Sequence, residues 1–218
     1  KLIGEWMMAD CERAWDLKWI GLRYFNVAGA GWPDLADDAI MNLIPMVLDR
    51  IERGDSAKIF GDDYDTEDGT CVRDYIHVLD LAEAHIAALD VLAEGRQPDH
   101  HTYNVGTGLG TSVREIIDGL RRVIGWEFPV EVLQRRAGDP PTLIGDPLSI
   151  GVDLGWKANN GVEEILASAW EGWQAGPRPI TVPGARGAPR QASRPRPRAQ
   201  TRVARPGPAS AGASGENS

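Results

Sequence analysis

The sequence has few of the features that mark secreted, membrane-bound or metal-binding proteins. It holds only two cysteines in 218 residues, Cys11 and Cys71, and they form no C-x-x-C pair. No run approaches the roughly 18 consecutive apolar residues that a membrane helix requires, and no signal peptide opens the chain. These absences predict a cytoplasmic protein with reduced, buried thiols and no membrane partner.

Positive charge is scarce in most of the chain and is concentrated near its end. The whole sequence has 23 basic and 32 acidic residues, a formal net charge of -9. Eight arginines and one acid follow residue 175, so residues 1–175 hold 15 basic and 31 acidic residues. Such an acidic body predicts no nucleic-acid partner, because phosphate binding depends on surplus lysine and arginine. Residues 176–218 are rich in proline, arginine, alanine, glycine and serine, which predicts a disordered basic tail.

Two hydrophobic periods alternate through residues 1–175, and this alternation predicts an α/β fold. A cap is expected at Thr111 or Ser112, because an acid follows three positions later. The predicted helices cover residues 1–15, 39–53, 78–95, 111–125 and 161–174, and the predicted strands cover residues 18–29, 57–61, 101–106 and 129–134.

Acidic residues cluster before a single arginine in the segment 62–78, DDYDTEDGTCVRDYIHV. A calcium loop would need glycine at its sixth position and a carboxylate at its twelfth. Counted from Asp63, the glycine arrives one place late, so no metal site is predicted. The four histidines show no metal-binding or catalytic spacing either, and we expect His77 to satisfy a buried hydrogen bond.

A glycine cluster at residues 104–112, NVGTGLGTS, is similar to a dinucleotide-binding loop. Its spacing is G-x-G-x-G, whereas the fingerprint requires G-x-G-x-x-G. The cluster therefore predicts a tight turn.

Arginines at two places suit the binding of a single anion. Arg73 stands alone in an acidic neighbourhood, and Arg135 and Arg136 lie in a Gly-Pro loop followed by Asp139. Guanidinium groups bind phosphate in a bidentate manner, and a carboxylate can hold ribose hydroxyls. The set would suit a nucleoside diphosphate; surface ion pairs are the alternative interpretation.

Several segments together resemble the UDP-glucose 4-epimerases of the extended short-chain dehydrogenase/reductase superfamily. The resemblance runs in order through nearly all of residues 1–175. It implies the C-terminal part of a Rossmann-type parallel sheet plus a smaller α/β substrate-binding domain. The segments are LRYFNVAGA at 22–30, NLIP at 42–45, IFGDDYDTEDGTCVRDYIHVLDLAEAH at 59–85, YNVGTG at 103–108 and RRAGDPP at 135–141.

The resemblance also implies roles for residues at a UDP-sugar site. Arg73 and Arg136 would clamp the pyrophosphate, Asp139 would hold the uridine ribose, and Phe60 would contact uracil. Family members with a bulky tyrosine at the position of Leu143 have a narrower sugar pocket, so leucine leaves room for a larger sugar. Further substrate contacts are implied for Asn26, Asn42 and Leu43.

Three residues are implied to lie at an NAD cofactor. Lys1 matches the lysine of the Y-x-x-x-K motif, which holds the nicotinamide ribose and lowers the pKa of the catalytic tyrosine by its positive charge. Tyr24 and Phe25 occupy positions at which members of the family lie close to the nicotinamide ring. The tyrosine would lie four residues before Lys1, so we expect these 218 residues to be a C-terminal portion that is inactive alone.

The implied activity is the interconversion of UDP-glucose and UDP-galactose by transient oxidation at C4, with NAD supplying the redox chemistry. The full-length protein is expected to form a homodimer. Epimerisation of UDP-arabinose or UDP-N-acetylglucosamine, and a non-catalytic UDP-sugar-binding module, are the alternatives.

Overall fold

The computed structural model describes residues 1–37, 39–96 and 100–176. Contacts divide the chain into one unit, Lys1–Pro179, and a second, Ile180–Ser218, which lies beyond the described residues. Apart from Gly176, the predicted basic tail at 176–218 also lies outside the described residues. The tail and its boundary stay predictions.

Helices and strands alternate along the chain, which confirms the predicted α/β class. A short 3-10 turn, Pro33–Leu35, precedes the second helix. In chain order the elements are α1 (Leu2–Trp15), β1 (Gly21–Tyr24), β2 (Asn26–Ala28), α2 (Leu43–Glu52), β3 (Ala57–Phe60), β4 (Val72–Arg73), β5 (Tyr75–His77), α3 (Val78–Ala93), β6 (Thr102–Val105), β7 (Thr111–Ser112), α4 (Val113–Ile124), β8 (Val130–Leu133), β9 (Thr142–Leu143), α5 (Leu148–Leu154) and α6 (Val162–Ala175).

Strand pairing is mainly parallel. The pairs β1–β6, β2–β5 and β3–β8 are each parallel, while β4 lies between β7, which is antiparallel to it, and β9, which is parallel. Parallel strands need long crossover connections, which the intervening helices supply. These parallel pairs and the helices between them agree with the Rossmann-type α/β fold that the resemblance implied.

The fourth helix begins where its cap was predicted. The Ser112 hydroxyl accepts a hydrogen bond from the Glu115 backbone N–H at 3.0 Å, and the Glu115 carboxylate accepts from the Ser112 backbone N–H at 2.6 Å. Together they satisfy two donors that helix geometry leaves unpaired. The helix ends at Gly125, whose φ of 81° places it in the left-handed region that favours glycine.

Two predicted elements have different bounds in the structure. The helix predicted from residue 39 begins at Leu43, because Pro45 has no backbone N–H and is tolerated only in the first helical turn. The strand predicted at 18–29 is interrupted at Phe25, and its two parts pair with different neighbours, β6 and β5.

Buried apolar side chains form two clusters. One joins α2, β3, α4 and α6 through residues such as Leu48, Ile59 and Leu166. The other joins β5, α3, β6 and α5 through Ile76 and Tyr103, among others. The cleft described below lies along the first cluster.

The first helix differs from the rest because it has no buried residue. Cys71 is buried as predicted, but Cys11, on this helix, is only half-buried, so the prediction that both thiols are buried is wrong for Cys11. Among the described residues, no helix has the length and apolar character needed to cross a bilayer.

Candidate functional site

A cleft of about 220 Å³ brings together most of the residues predicted to bind substrate. Its walls come from α2, from β3, from β4 and β5, and from the loop after β8. Seven of the eight predicted substrate-binding residues line it: Asn26, Asn42, Leu43, Phe60, Arg73, Arg136 and Asp139.

Arg73 reaches the cleft from β4 in a fixed orientation. Its Nη1 donates to the Val72 carbonyl at 2.8 Å and to the Pro141 carbonyl at 3.4 Å. Both acceptors are neutral, so the charge of Arg73 is not neutralised by these contacts. A half-buried guanidinium held in this way is suited to an anionic ligand.

Arg136 lies over an aromatic ring on the same cleft. Its guanidinium carbon is 3.9 Å from the centroid of the Phe60 ring, a cation–π contact. Asp139 follows in the same loop and is half-buried. The predicted pyrophosphate, uracil and ribose contacts are therefore neighbours in the structure.

Arg135, the other member of the arginine pair, has a structural role. It forms an ion pair with Asp63 at 2.6 Å and lies over the Tyr64 ring, 4.7 Å from its centroid. The Arg135 guanidinium lowers the pKa of Asp63. This contact fastens the acidic loop to the loop after β8.

The acidic stretch is held by hydrogen bonds to neighbouring segments. The Asp68 carboxylate accepts hydrogen bonds from the side chains of Ser112 and Thr70 and from the Thr70 backbone. Partial burial raises the pKa of Asp68, but these bonds and Arg114 outweigh it, so its pKa lies below the usual value. Among the described residues, no group of three or more His, Cys, Asp or Glu side chains could hold a metal ion.

Asp74, next to Arg73, is fully buried and joins three segments. Its carboxylate accepts from the backbone N–H groups of Thr107 at 2.9 Å, Gly108 at 3.0 Å and Gly145 at 3.2 Å, and from the Thr107 hydroxyl at 2.7 Å. The glycine cluster is thus a tight turn, as predicted, and Asp74 fixes it. Asp74 was not predicted as a functional residue, although its position next to a predicted anion-binding arginine indicated a structural role for its carboxylate.

A buried tyrosine lies beside the predicted substrate residue Asn26. Burial raises the pKa of Tyr75 to about 12, although a hydrogen bond with Asn26 and the charge of Arg73 lower it. The phenol is therefore a neutral hydrogen-bonding group at neutral pH. Tyr75 also lines a smaller adjoining cavity of about 100 Å³ with Asn26, Asn42 and Leu43.

His77 satisfies buried hydrogen bonds, as predicted. Its Nδ1 accepts from the Leu79 backbone N–H at 3.1 Å, which caps α3, and its Nε2 lies 3.0 Å from the Ser168 hydroxyl on α6. Burial lowers the pKa of His77, while Asp80 and Glu164 oppose this change.

The remaining predicted residues lie outside the cleft lining. Leu143, on β9, pairs with Arg73 in the sheet and is 48% exposed. Tyr24 is 50% exposed at the end of β1, and Lys1 is exposed before α1. The ion pair between Arg23 and Glu5 ties α1 to β1.

Phe25 is held against two glycines. A Cβ at Gly145 would lie 2.5 Å from the Phe25 ring, and a Cβ at Gly106 would lie 3.2 Å from the same ring. Phe25 therefore stands at the carboxyl ends of β1 and β6, the edge at which open parallel sheets bind ligands.

Parallel strands, crossover helices and a cleft at their carboxyl ends define a Rossmann-type α/β protein. Residues 1–106 match the model of the NAD dependent epimerase/dehydratase family. The resemblance to UDP-glucose 4-epimerases is confirmed over a longer stretch.

Three relatives illustrate the similarity. A UDP-glucose 4-epimerase of Rhizobium leguminosarum bv. trifolii is 41% identical over 179 residues, covering 80% of this chain and 54% of the relative. The structure of the Bifidobacterium longum UDP-glucose 4-epimerase in complex with NAD+ and UDP is 38% identical, with a TM-score of 0.68, covering 80% of this chain and 52% of that one. The UDP-Glc/GlcNAc 4-epimerase of Campylobacter jejuni is 40% identical, with a TM-score of 0.63, covering 79% and 53%. The chain spans about half the length of the curated relatives it matches.

Proposed function

We propose that this chain is the UDP-sugar-binding part of an NAD-dependent UDP-glucose 4-epimerase, which interconverts UDP-glucose and UDP-galactose. The observation that carries the proposal is the cleft that unites Phe60, Arg73, Arg136 and Asp139. Two guanidinium groups, an aromatic ring and one carboxylate match the chemistry of a nucleoside diphosphate. The relatives named above support the assignment, since each is an epimerase of UDP-sugars by name.

Each residue then has a role in holding the substrate. Arg73 and Arg136 bind the pyrophosphate, Asp139 the ribose and Phe60 the uracil, while Asn26, Asn42 and Leu43 contact the rest of the UDP-sugar. Binding through the diphosphate leaves the sugar free to present either face to a redox partner. Positioning of this kind is the protein's contribution to the reaction.

Residues at the carboxyl ends of β1 and β6 fit the nicotinamide end of NAD. Phe25 packs against Gly106 and Gly145, and Tyr24 and Lys1 are exposed. Lys1 would hold the nicotinamide ribose and lower the pKa of a tyrosine four positions before it. When bound, NAD supplies the hydride acceptor. We propose that epimerisation requires sequence beyond these 218 residues.

The exposed Leu143 does not restrict the site to one sugar. A leucine side chain at the sugar end leaves more space than a tyrosine would, and the Campylobacter jejuni relative is named for both UDP-Glc and UDP-GlcNAc. UDP-N-acetylglucosamine and UDP-arabinose are therefore alternative substrates at the same site.

Calorimetric titration of the 218-residue chain with UDP and with NAD+ tests the proposal. We expect weak UDP binding and no measurable NAD+ binding. Replacement of Arg73 by leucine should lower the UDP affinity by about tenfold or more, because a charge-assisted hydrogen bond to phosphate is lost.

Arg96→Leu is the control, since Arg96 is an exposed arginine paired with Glu94 and does not line the cleft. It should leave UDP binding unchanged. Absence of UDP binding by the folded chain, or tight NAD+ binding by it, would contradict the proposal.

A further inference from the structure

Arg50 lines the cleft but belongs to neither the predicted site nor the motifs that led to it. Leu43, Met46, Val47 and Arg50 all line the cleft, and their spacing places them on one face of α2. The first three are apolar. Arg50 ends this face with a charge, about 10 Å along the helix axis from Leu43 at 1.5 Å per residue.

Arg50 is available to a ligand. Within the described ranges 1–37, 39–96 and 100–176, no hydrogen bond or ion pair joins its guanidinium to another side chain. The other cations of the cleft are engaged: Lys58 lies 3.8 Å from Glu131, Arg73 donates to two carbonyls and Arg136 stacks on Phe60. A half-buried guanidinium without a partner retains its full capacity to donate hydrogen bonds.

The fold places Arg50 on the same wall as Phe60. The chain turns back after α2, where the Asp55 backbone N–H donates to the Arg50 carbonyl at 2.9 Å, and it then enters β3, which carries Phe60 and packs against α2. Arg73 and Arg136 come from β4 and from the loop after β8. Arg50 thus lies on the helix that packs against the strand of Phe60, the residue assigned to the base, while Arg136 reaches Phe60 from a different segment.

We propose that Arg50 is a specificity-determining residue that donates a hydrogen bond to the C4 carbonyl oxygen of the nucleobase. The inference rests on the proposed function and adds the means of base selection. A pyrimidine with a carbonyl at C4 accepts a hydrogen bond from a guanidinium. Cytosine carries an amino group at C4, which is itself a hydrogen-bond donor and cannot accept one from the guanidinium. The site therefore takes uridine diphosphates in preference to cytidine diphosphates.

The test compares the binding of UDP and CDP, measured by calorimetry, in the chain and in its Arg50→Met variant. The unchanged chain should bind UDP at least about tenfold more tightly than CDP, the range expected for one hydrogen bond to a charged group. Arg50→Met should weaken UDP by about tenfold, leave CDP nearly unchanged and so abolish the preference.

Two further variants separate base recognition from charge and from folding. Arg53→Met removes the same charge from the same end of α2, but Arg53 is exposed and paired with Asp49, so the preference should persist. Arg50→Lys keeps the charge without the planar donor fork and should restore only part of the preference. Thermal melting of each variant shows whether α2 remains folded.

Each result has one meaning. Equal weakening of UDP and CDP in Arg50→Met would assign Arg50 to the phosphates and overturn base selection, while leaving UDP-sugar binding intact. An unchanged preference would also overturn it. Failure of the unchanged, folded chain to bind either nucleotide would instead contradict the proposed function itself.

Discussion

At the scale of single residues, Asp74 shows how a buried carboxylate can support the residues that line a cleft. It is fully buried and accepts four hydrogen bonds from the Thr107–Gly108 turn and from Gly145. Since Arg73 precedes it in the chain, these bonds fix the backbone from which Arg73 reaches the cleft. Burial of a carboxylate is tolerable here because several donors compensate its lost hydration.

Replacement of Asp74 by alanine should destabilise the protein strongly. Three backbone N–H groups and one hydroxyl would lose their acceptor, and an orphaned buried donor costs about 1–3 kcal/mol. We expect the free energy of unfolding, measured by urea denaturation, to fall by on the order of 4 kcal/mol. Asp65→Ala removes an exposed carboxylate from the same stretch and should change it by less than about 0.5 kcal/mol. Equal effects of the two variants would refute this account of Asp74.

At the scale of elements, the acidic loop depends on one glycine. Gly69 has a φ of 77°, and a Cβ there would lie 2.0 Å from the Asp62 carbonyl oxygen. Gly54, after α2, has a similar φ of 79° but open space around it. The two positions share a backbone conformation and differ only in what surrounds them.

Alanine substitutions at these glycines should therefore separate the energetic cost of backbone strain from that of steric collision. Gly54→Ala should lower the free energy of unfolding by about 1 kcal/mol, the cost of a side chain in the left-handed region. Gly69→Ala should cost about 2 kcal/mol more, because the backbone must move to admit the methyl group. Urea denaturation of both variants measures the difference, and similar losses would show that the loop relaxes freely.

The cap of α3 should make stability depend on pH. Burial holds the pKa of His77 below its unfolded value of about 6.5. The folded chain then binds fewer protons than the unfolded chain, so His77 stabilises the fold above that value and this contribution is lost as the pH falls through the folded pKa.

We expect the urea concentration at the unfolding midpoint to decrease as the pH is lowered from 7.5 to 5.5. The decrease should be smaller in His77→Gln. His85→Gln, on the exposed face of the same helix, should retain the full dependence. A His77→Gln variant with the same pH dependence as the unchanged chain would show that other groups are responsible.

Sequence patterns predicted the long elements better than the short ones. The helices α1, α3, α4 and α6 and the strands β3, β6 and β8 occur where periodicity and caps indicated them. The two-residue strands β4, β7 and β9 and the seven-residue helix α5 were not predicted. Such short segments have too few residues to show a period, and β4 finds its partners β7 and β9 only when distant parts of the chain come together.

At the scale of the whole molecule, the cleft was predictable in composition but not in shape. Resemblance to a family supplied seven residues that the structure brings together. Arg50 was missed because it continues the apolar face of α2, and only the packing of α2 on β3 shows that this face lines a cleft. Leu143 lies beside Arg73 in the sheet instead of in the cleft lining.

The exposed apolar side chains of α1 predict that copies of the chain associate with one another. Leu2, Ile3, Trp6 and Met7 are each more than half exposed, which leaves an apolar face on α1. Together with the homodimer implied by the resemblance, this face predicts self-association. Sedimentation should show it, and Trp6→Lys should reduce it; Met41→Lys, at an 83% exposed methionine outside α1, should not. A purely monomeric unchanged chain would contradict the prediction.

The hydrogen bonds of three carboxylates, Asp68, Asp74 and Asp80, can form only late in synthesis of the chain. Their partners lie far downstream: Ser112 is 44 residues after Asp68, Gly145 is 71 after Asp74, and Asn160 is 80 after Asp80. These contacts close only after the downstream segments have left the ribosome, and contacts of such sequence separation slow folding. A nascent chain released before residue 145 carries Arg73 on a strand that the contact between Asp74 and Gly145 has not yet fixed.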